Sequence, residues 1–539
     1  MPMGIKLFKS AILLFVVFSC SKPSSFPDVF RYNESAGILT LDPAFAKDLP
    51  HIWACNQLYN SLVEFDSAMQ IKPSLAKRWE VSDDGLRYTF FLRTDVFFHG
   101  HPIFNGRKRR LVAQDFVFSF NRLVDPALAS PGRWIFNHLA RQGDSLDVKA
   151  LNDSVLTLRL EQPFPGFIGL LAMAYASALP KEVVFSEGSR FRSAPIGTGP
   201  FRFQYWDEGI RLVLRRNPDY FETENGRQLP LLEAVSISFL TDKQTAFMEF
   251  AKGNLDFMSG IDARYKDELL SRSGKLKKKY ENKIRLVRQP FLNTEYLGFY
   301  IDKNAMPSMS PERFLALRKA VSLGIDREKM LKYLRNNIGT PGYGGIIPKG
   351  LPGYDTAQNI GYSYRPEEAQ QIIRYNNLAG TSFTISVTAD YADLVKFIQS
   401  QLNQLGLDVK MEVLPTATLR EMRAQGKLQV FRSSWVADYP DAENYLSLFY
   451  GPNRSPAGPN YTHYENAVFD KELLAAARMS NVSERSVVYR RLDSLMMTQA
   501  PVTVLYYDEV LRFVSLEVRG FTGNPSNQLD LKRVYKTPL

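Results

Sequence analysis

The chain has 539 residues, 45% of them hydrophobic and 23% charged, the composition of a folded protein of two to four domains rather than a disordered one. Lys and Arg outnumber Asp and Glu by 67 to 56, a net charge of +11, but the basic residues are dispersed and lie in no nucleic-acid-binding motif, which argues against that class of partner. With only two cysteines, Cys20 and Cys55, the fold does not depend on disulfides.

At the N-terminus Lys6 and Lys9 precede the apolar run Ala11 to Phe18. That run is too short to span a bilayer, which takes roughly 20 residues, but suits the core of a signal peptide. Ser19-Cys20 and a polar stretch follow. The pattern resembles a bacterial lipoprotein signal over residues 1–19, with Cys20 as the lipidated residue and 20–26 as a tether. An ordinary secretory signal and a Cys20–Cys55 disulfide are the alternatives. The expected location is the cell envelope, on the periplasmic or extracellular face. A membrane tether would also give the positive charge a use against anionic headgroups.

Residues 28–66 read as a strand, a turn at Leu41-Asp42-Pro43 and a helix ending near Leu62 to Asp66. Leu86 to Leu92 and Val155 to Leu160 alternate apolar and polar, as strands do, and Gln114 to Arg122 reads as a helix. Arg107 to Arg110 and Lys275 to Lys279 are basic clusters that each follow a glycine and read as solvated loops. His99 and His101 share a face if extended, but the chain has few other histidines to complete a metal site, and no metal is expected. Phe164 to Leu179 is broken by Pro165, Gly166, Gly169 and Ser177 and reads as buried loop or core. Pro195 to Phe203 marks a sharp re-entry into a strand, not a phosphate loop.

Phe383 to Val387 predicts a strand. Leu394, Val395, Ile398, Leu402 and Leu405 then share one helical face, which Gly406 ends. Asp408 to Leu414 predicts the next strand, Thr418 to Glu421 has the spacing of a capping box, and Lys427 to Ser433 returns as a strand. This alternation is an α/β sheet with crossover connections, whose ligands sit outside the strand ends. The last strand runs into Trp435, Asp438 and Pro440. A carboxylate beside an indole at a strand end is suited to gripping an ammonium group, by a charge-assisted hydrogen bond and by the aromatic face. The bland alternative is a strand end followed by an Asp-rich turn. A hydrolase using Asp438, Asp441 and Glu443 is a second reading, though the chain contains no GxSxG, no HExxH and no Cys–His pairing.

Six motifs recur in one order: Tyr59 to Glu64 with Pro73 to Ala76 and Trp79 to Gly85; Gly197 to Phe201; Asn217 to Phe221; Tyr296 to Tyr300; Arg318 to Val321 with Gly324 to Glu328; and Ala437 to Asp441. On these the chain resembles the oligopeptide/dipeptide-binding family of extracytoplasmic solute-binding proteins, receptors of ABC importers. The resemblance implies a two-lobed α/β fold with hinge segments and an extra domain. By analogy the first lobe is 27–66, 193–288 and 508–539, the extra domain 67–192 and the second lobe 289–507. It implies no enzymatic activity and no cofactor, a monomer, and as partners a peptide ligand and the permease and ATPase subunits. Relatives also bind nickel chelates, haem and oligosaccharides. Asp438 matches the acid that takes the ligand's α-ammonium, Trp435 an aromatic that packs on the ligand, and Ser434 and Val436 backbone partners. Arg432 lies where some members meet the ligand carboxylate, and Tyr439 belongs to the same binding segment. The Arg107 to Arg110 run, His101 and Lys319 depart from the family pattern.

Overall fold

The protein is described here by a computed structural model that covers residues 28–538 except 261–265, 303–305, 307–308, 356–359 and 480. The signal segment and Cys20 lie outside the described residues.

The strands that matter for the site are, in chain order, β1 (Val29–Asn33), β2 (Ala76–Val81), β3 (Arg87–Leu92), β4 (Val148–Asn152), β5 (Val155–Arg159), β6 (Phe201–Asp207), β7 (Arg211–Arg216), β8 (Ala234–Ser238), β9 (Phe257–Ser259), β10 (Ile284–Phe299), β11 (Ser382–Val387), β12 (Asp408–Val413), β13 (Val430–Val436) and β14 (Val502–Ser515). The helices are α1 (Leu49–Leu58), α2 (Ala113–Val124), α3 (Pro311–Leu323), α4 (Arg327–Leu334), α5 (Ala392–Gln404), α6 (Thr416–Ala424) and α7 (Val482–Thr498). One large sheet runs β6-β7-β8-β1-β9-β14-β10-β13-β11-β12, with Thr340–Pro341 pairing on β14. β1, β8 and β9 are parallel, as are β11, β12 and β13. Between these two groups lie β14 and β10, antiparallel to each other over nearly their whole length. A separate four-stranded sheet, β2-β3-β5-β4, is formed within 67–192.

The apolar residues divide accordingly. One core gathers Phe30, Trp53, Phe257 and Leu531 with Phe90 and Phe116, so segment 67–192 packs onto β1 and α1 through shared apolar residues. Phe247, Leu269, Leu511 and Phe513 form a small core of their own. Farther along β10 and β14, Tyr296, Phe431, Tyr445 and Val504 lie on one face of the sheet and Leu297, Phe314, Ile385 and Tyr506 on the other. Alternation along each strand produces this division, since successive side chains point to opposite faces. The register of β10 against β14 breaks between Pro290 and Thr294 and again between Glu295 and Tyr296. The residue boundaries expected at 288/289 and 507/508 fall inside these two strands.

Several elements follow the sequence reading, and some correct it. Strands β3, β5, β11 and β12 and helices α2 and α5 lie where periodicity placed them. Leu62 to Asp66 is not the end of a helix: α1 stops at Tyr59, which is extended, and Val63–Phe65 pairs with Ile71–Pro73. The expected capping box at Thr418 is absent, because α6 already begins after Pro415 and Thr418 lies within its first turn. β13 begins at Val430 rather than Lys427 and runs on through Trp435. The basic run is a mostly exposed loop, as expected, with ion pairs along it: Lys108 pairs with Asp219, Arg109 with Asp115 and Glu182, and Arg110 with Asp153. Gly197 and Gly199 are required by packing, since a Cβ on either would lie 2.1 Å or 2.4 Å from the Leu58 backbone.

Two buried polar groups hold the second half of the sheet. Arg327, fully buried, donates to the carbonyls of Val504, Ser322, Ile325, Tyr362 and Gly361, and burial lowers its guanidinium to about 10. Arg327→Met strands those carbonyls and is expected to cost about 3–5 kcal/mol of stability, read from urea unfolding. Asp493 on α7 accepts the N–H groups of Ile346 and Ile347, and burial pushes it up to about 7. The folded protein therefore keeps a proton that the unfolded chain has released. That contribution is full below about pH 4 and is lost as pH rises through 7. Between pH 5 and pH 8 the parent is expected to lose about 2–3 kcal/mol relative to Asp493→Asn, in paired urea titrations.

Candidate functional site

β13 brings the predicted residues together because its two edges differ. On one edge it pairs with β10 throughout, Val430 to Val436 against Phe299 to Asn293. On the other it pairs with β11 only at Val430 and Phe431. Among the described residues no strand covers that edge from Arg432 to Val436. An uncovered edge offers unpaired N–H and C=O groups to an added chain.

Side chains alternate along this open strand. Trp435 packs toward the core that holds Phe431 and Tyr445. Its indole N–H donates to Asn444 Oδ1 at 2.8 Å. The Asp438 backbone N–H donates to the same oxygen at 3.1 Å, and Asn444 Nδ2 donates to Asp438 Oδ2 at 3.4 Å. Asn444, itself buried, thus fixes the indole and the acid relative to each other. The sequence reading missed its role, although it lies only six residues beyond Asp438.

Asp438 is open to solvent on one side, yet burial of its carboxyl raises its pKa, with the Asn444 hydrogen bond opposing. No Lys, Arg or His pairs with it among the described residues. The neighbouring acids are different. Asp441 is bound by Arg485 at 2.7 Å. Glu443 accepts the Tyr439 hydroxyl, and burial pushes it up to about 7. A general acid–base pair needs two carboxyls facing one space, and here only Asp438 is uncommitted.

The other predicted residues are placed as follows. Ser434 and Val436 lie on the open edge, Ser434 half-buried and Val436 exposed. Arg432 stacks on Tyr391, 3.2 Å from the ring centroid, and its guanidinium is bonded to the buried Glu295. Tyr439 turns away from the edge. Its ring meets Phe164 edge-on at 6.0 Å and lines, with Phe65, Tyr88, Leu351 and Tyr489, a cavity of about 1000 Å³ behind the loop, outside which Trp435 and Asp438 lie. A second cation was not foreseen: Arg423 on α6 donates to Ser433 Oγ, stacks on Tyr461 at 3.9 Å, and has no carboxylate partner among the described residues. The open edge therefore has an arginine on each face near Ser433 and a lone carboxylate past Val436. His99 and His101 do not converge. His99 donates from Nε2 to the Gly199 carbonyl at 3.0 Å, and His101 Nε2 faces Glu187 at 3.2 Å.

Residues 70–457 match the bacterial extracellular solute-binding proteins, family 5. The chain is 26% identical over 98% of its length, and 98% of the relative's, to the probable deoxycholate-binding periplasmic protein YgiS of Escherichia coli. It is 25% identical over 93% of its length, and 91% of the relative's, to the periplasmic oligopeptide-binding protein OppA of Salmonella typhimurium. The solved structure of HbpA2 from Haemophilus parasuis superimposes with a TM-score of 0.82 at 23% identity, covering 95% of this chain and all of that one. The two-lobed periplasmic-binding-protein fold is thus the fold of this chain, which belongs to the bacterial extracellular solute-binding proteins of family 5.

Proposed function

We propose that this protein is the receptor of an ABC importer and captures short peptides by their free amino terminus. The observation that carries this reading is Asp438: a carboxylate without a cation partner among the described residues, crowded by protein, and oriented by Asn444 at the end of an uncovered strand edge. An extended peptide laid on that edge supplies the missing ladder. Its ammonium meets Asp438, and its carboxylate end runs toward Arg423 and Arg432. Ser433 and Asp438 are five residues apart, or about 16 Å along a strand, the span of a short extended peptide.

Magnitudes limit what the acid contributes. A hydrogen bond to a charged group gives roughly 1.5–3 kcal/mol, whereas micromolar affinity takes about 8 kcal/mol. The main-chain ladder and buried apolar area supply the rest, which suits a receptor tolerant of varied side chains. Closure pivots where the register of β10 breaks, and the closed form is what the permease receives. The domain division 27–66, 193–288 and 508–539 against 289–507, with 67–192 added, is part of the same proposal.

The N-terminal pattern supports an extracytoplasmic location with a lipid anchor at Cys20. None of the described helices is long and apolar enough to cross a membrane. Cys20→Ser is expected to move the protein from the membrane fraction to the soluble one on cell fractionation. For the ligand, mass spectrometry of co-purified material identifies the class. Asp438→Ala is expected to weaken binding of a free-amine tripeptide by about 3–5 kcal/mol in calorimetry, because an ammonium would be buried unpaired. Unchanged affinity would rule the reading out.

A further inference from the structure

Tyr439 follows the acid directly but belongs to a different neighbourhood. Its ring packs against the core that 67–192 shares with β1 and α1, although the residue itself lies in 289–507. It therefore reaches across from one proposed lobe to the other. There it meets Phe164 edge-on at 6.0 Å. The short turn Phe167–Leu170 closes in beside it, with the Cβ position of Gly169 3.8 Å from Tyr439 Cβ and 3.9 Å from Pro440 Cδ. Phe164 is a firm surface for this contact. His138 stacks on it at 4.1 Å and 19°, and the Tyr88 hydroxyl donates to its carbonyl at 3.4 Å. A Cβ on Gly166 would lie 2.8 Å from its ring, so the chain wraps it tightly. The exchange also runs the other way. Met69 belongs to the core of Phe431 and Tyr445, Phe65 packs on that core, and Arg478 donates to Gln162 at 3.4 Å. Phe65, Met69, Phe164, Tyr439 and Arg478 all line the cavity of about 1000 Å³, so the two segments meet around it at separate points rather than across a filled interface.

The other end of Tyr439 is tied to the acid. Its hydroxyl donates to Glu443, the first residue of the short turn Glu443–Leu446. Its carbonyl accepts the Asp441 N–H at 2.9 Å, and Asp441 Oδ1 accepts the Glu443 N–H at 3.0 Å. Asn444 comes next, bonded to both the backbone N–H and the carboxylate of Asp438. A shift of the Tyr439 ring is therefore passed to the Asp438 carboxyl through one compact loop of hydrogen bonds.

We infer that Tyr439 is a positioning residue that couples the Asp438 acid to lobe closure: as 67–192 approaches, Phe164 seats the Tyr439 ring, and the loop holds the carboxyl in the orientation that takes the ligand's ammonium. Opening withdraws Phe164 and releases the loop. This rests on the ammonium reading above and adds how that site is regulated. A contact made in only one of two states biases the equilibrium toward that state by its own free energy. An edge-on ring pair supplies a factor of about five beyond its buried area.

Two substitutions on the far side of the contact test it. Phe164→Leu removes the ring and keeps an apolar side chain, and Gly169→Val leaves Phe164 intact but presses on Tyr439 and Pro440 from outside. Each is expected to weaken binding of a free-amine tripeptide about fivefold in calorimetry. The loss is expected in a faster dissociation rate by stopped flow, with association within about twofold. Urea unfolding confirms that the variants are folded, and a merely structural role would move the unfolding midpoint without moving dissociation from the folded protein. In an Asp438→Asn background the effect of each substitution is expected to shrink below about twofold, because the charge being positioned is gone. Unchanged dissociation in both folded variants overturns the inference, as does an effect of full size that persists with Asp438→Asn. The two levels stay distinguishable. If Asp438→Ala weakens the tripeptide while Phe164→Leu and Gly169→Val do not, only the coupling fails. If Asp438→Ala leaves affinity unchanged, the ammonium reading fails with it.

Discussion

The pairing of β10 with β14 is the constraint on which the rest of the molecule depends. These strands are 16 and 14 residues long and join the two parallel groups into one sheet. Every other strand of the large sheet is added outward from this pair. Such long antiparallel strands are stiff in the sheet plane, but a register break locally removes ladder bonds and increases twist. The breaks near Pro290 and Glu295 fall where the cores change identity, from the Phe513 cluster to the Tyr296 and Leu297 clusters.

The same level carries a cluster of buried and half-buried charge. Glu295 faces Arg432, and Arg335 bonds Asp508 at 2.6 Å and the Tyr506 hydroxyl at 3.0 Å. Burial raises Glu295, with Arg432 opposing and Asp508 adding to the rise. A buried ion pair contributes little net stability against a well-packed apolar alternative, but losing one partner is costly. Placed beneath the open edge of β13, the cluster orients Arg432 through Glu295.

Much of the local architecture was legible in the residues. β11, α5 and β12 were readable because alternation and helical spacing follow one another without ambiguity there. The acid and indole of the candidate site were readable because they lie within four residues on one strand end. What sequence could not reveal depends on distance through space. Asn444 stood in plain view, but nothing local says that one amide joins an indole to a backbone N–H. Arg432 was placed in the right strand, but its commitment to Glu295 requires knowing the register of β10. The Val63–Phe65 misreading arose because a short apolar run fits a helix end and a buried strand equally well.

Asn444 has one carboxamide oxygen serving two donors, the Trp435 indole and the Asp438 amide. The indole and the loop backbone thus share one anchor, and a movement of the loop that shifts Asn444 acts on both hydrogen bonds. If Asp438 holds the guest as proposed, capture changes the surroundings of a fluorophore. The protein would then carry its own optical gauge of occupancy, one that needs no attached dye and shares its Asn444 anchor with the proposed acid.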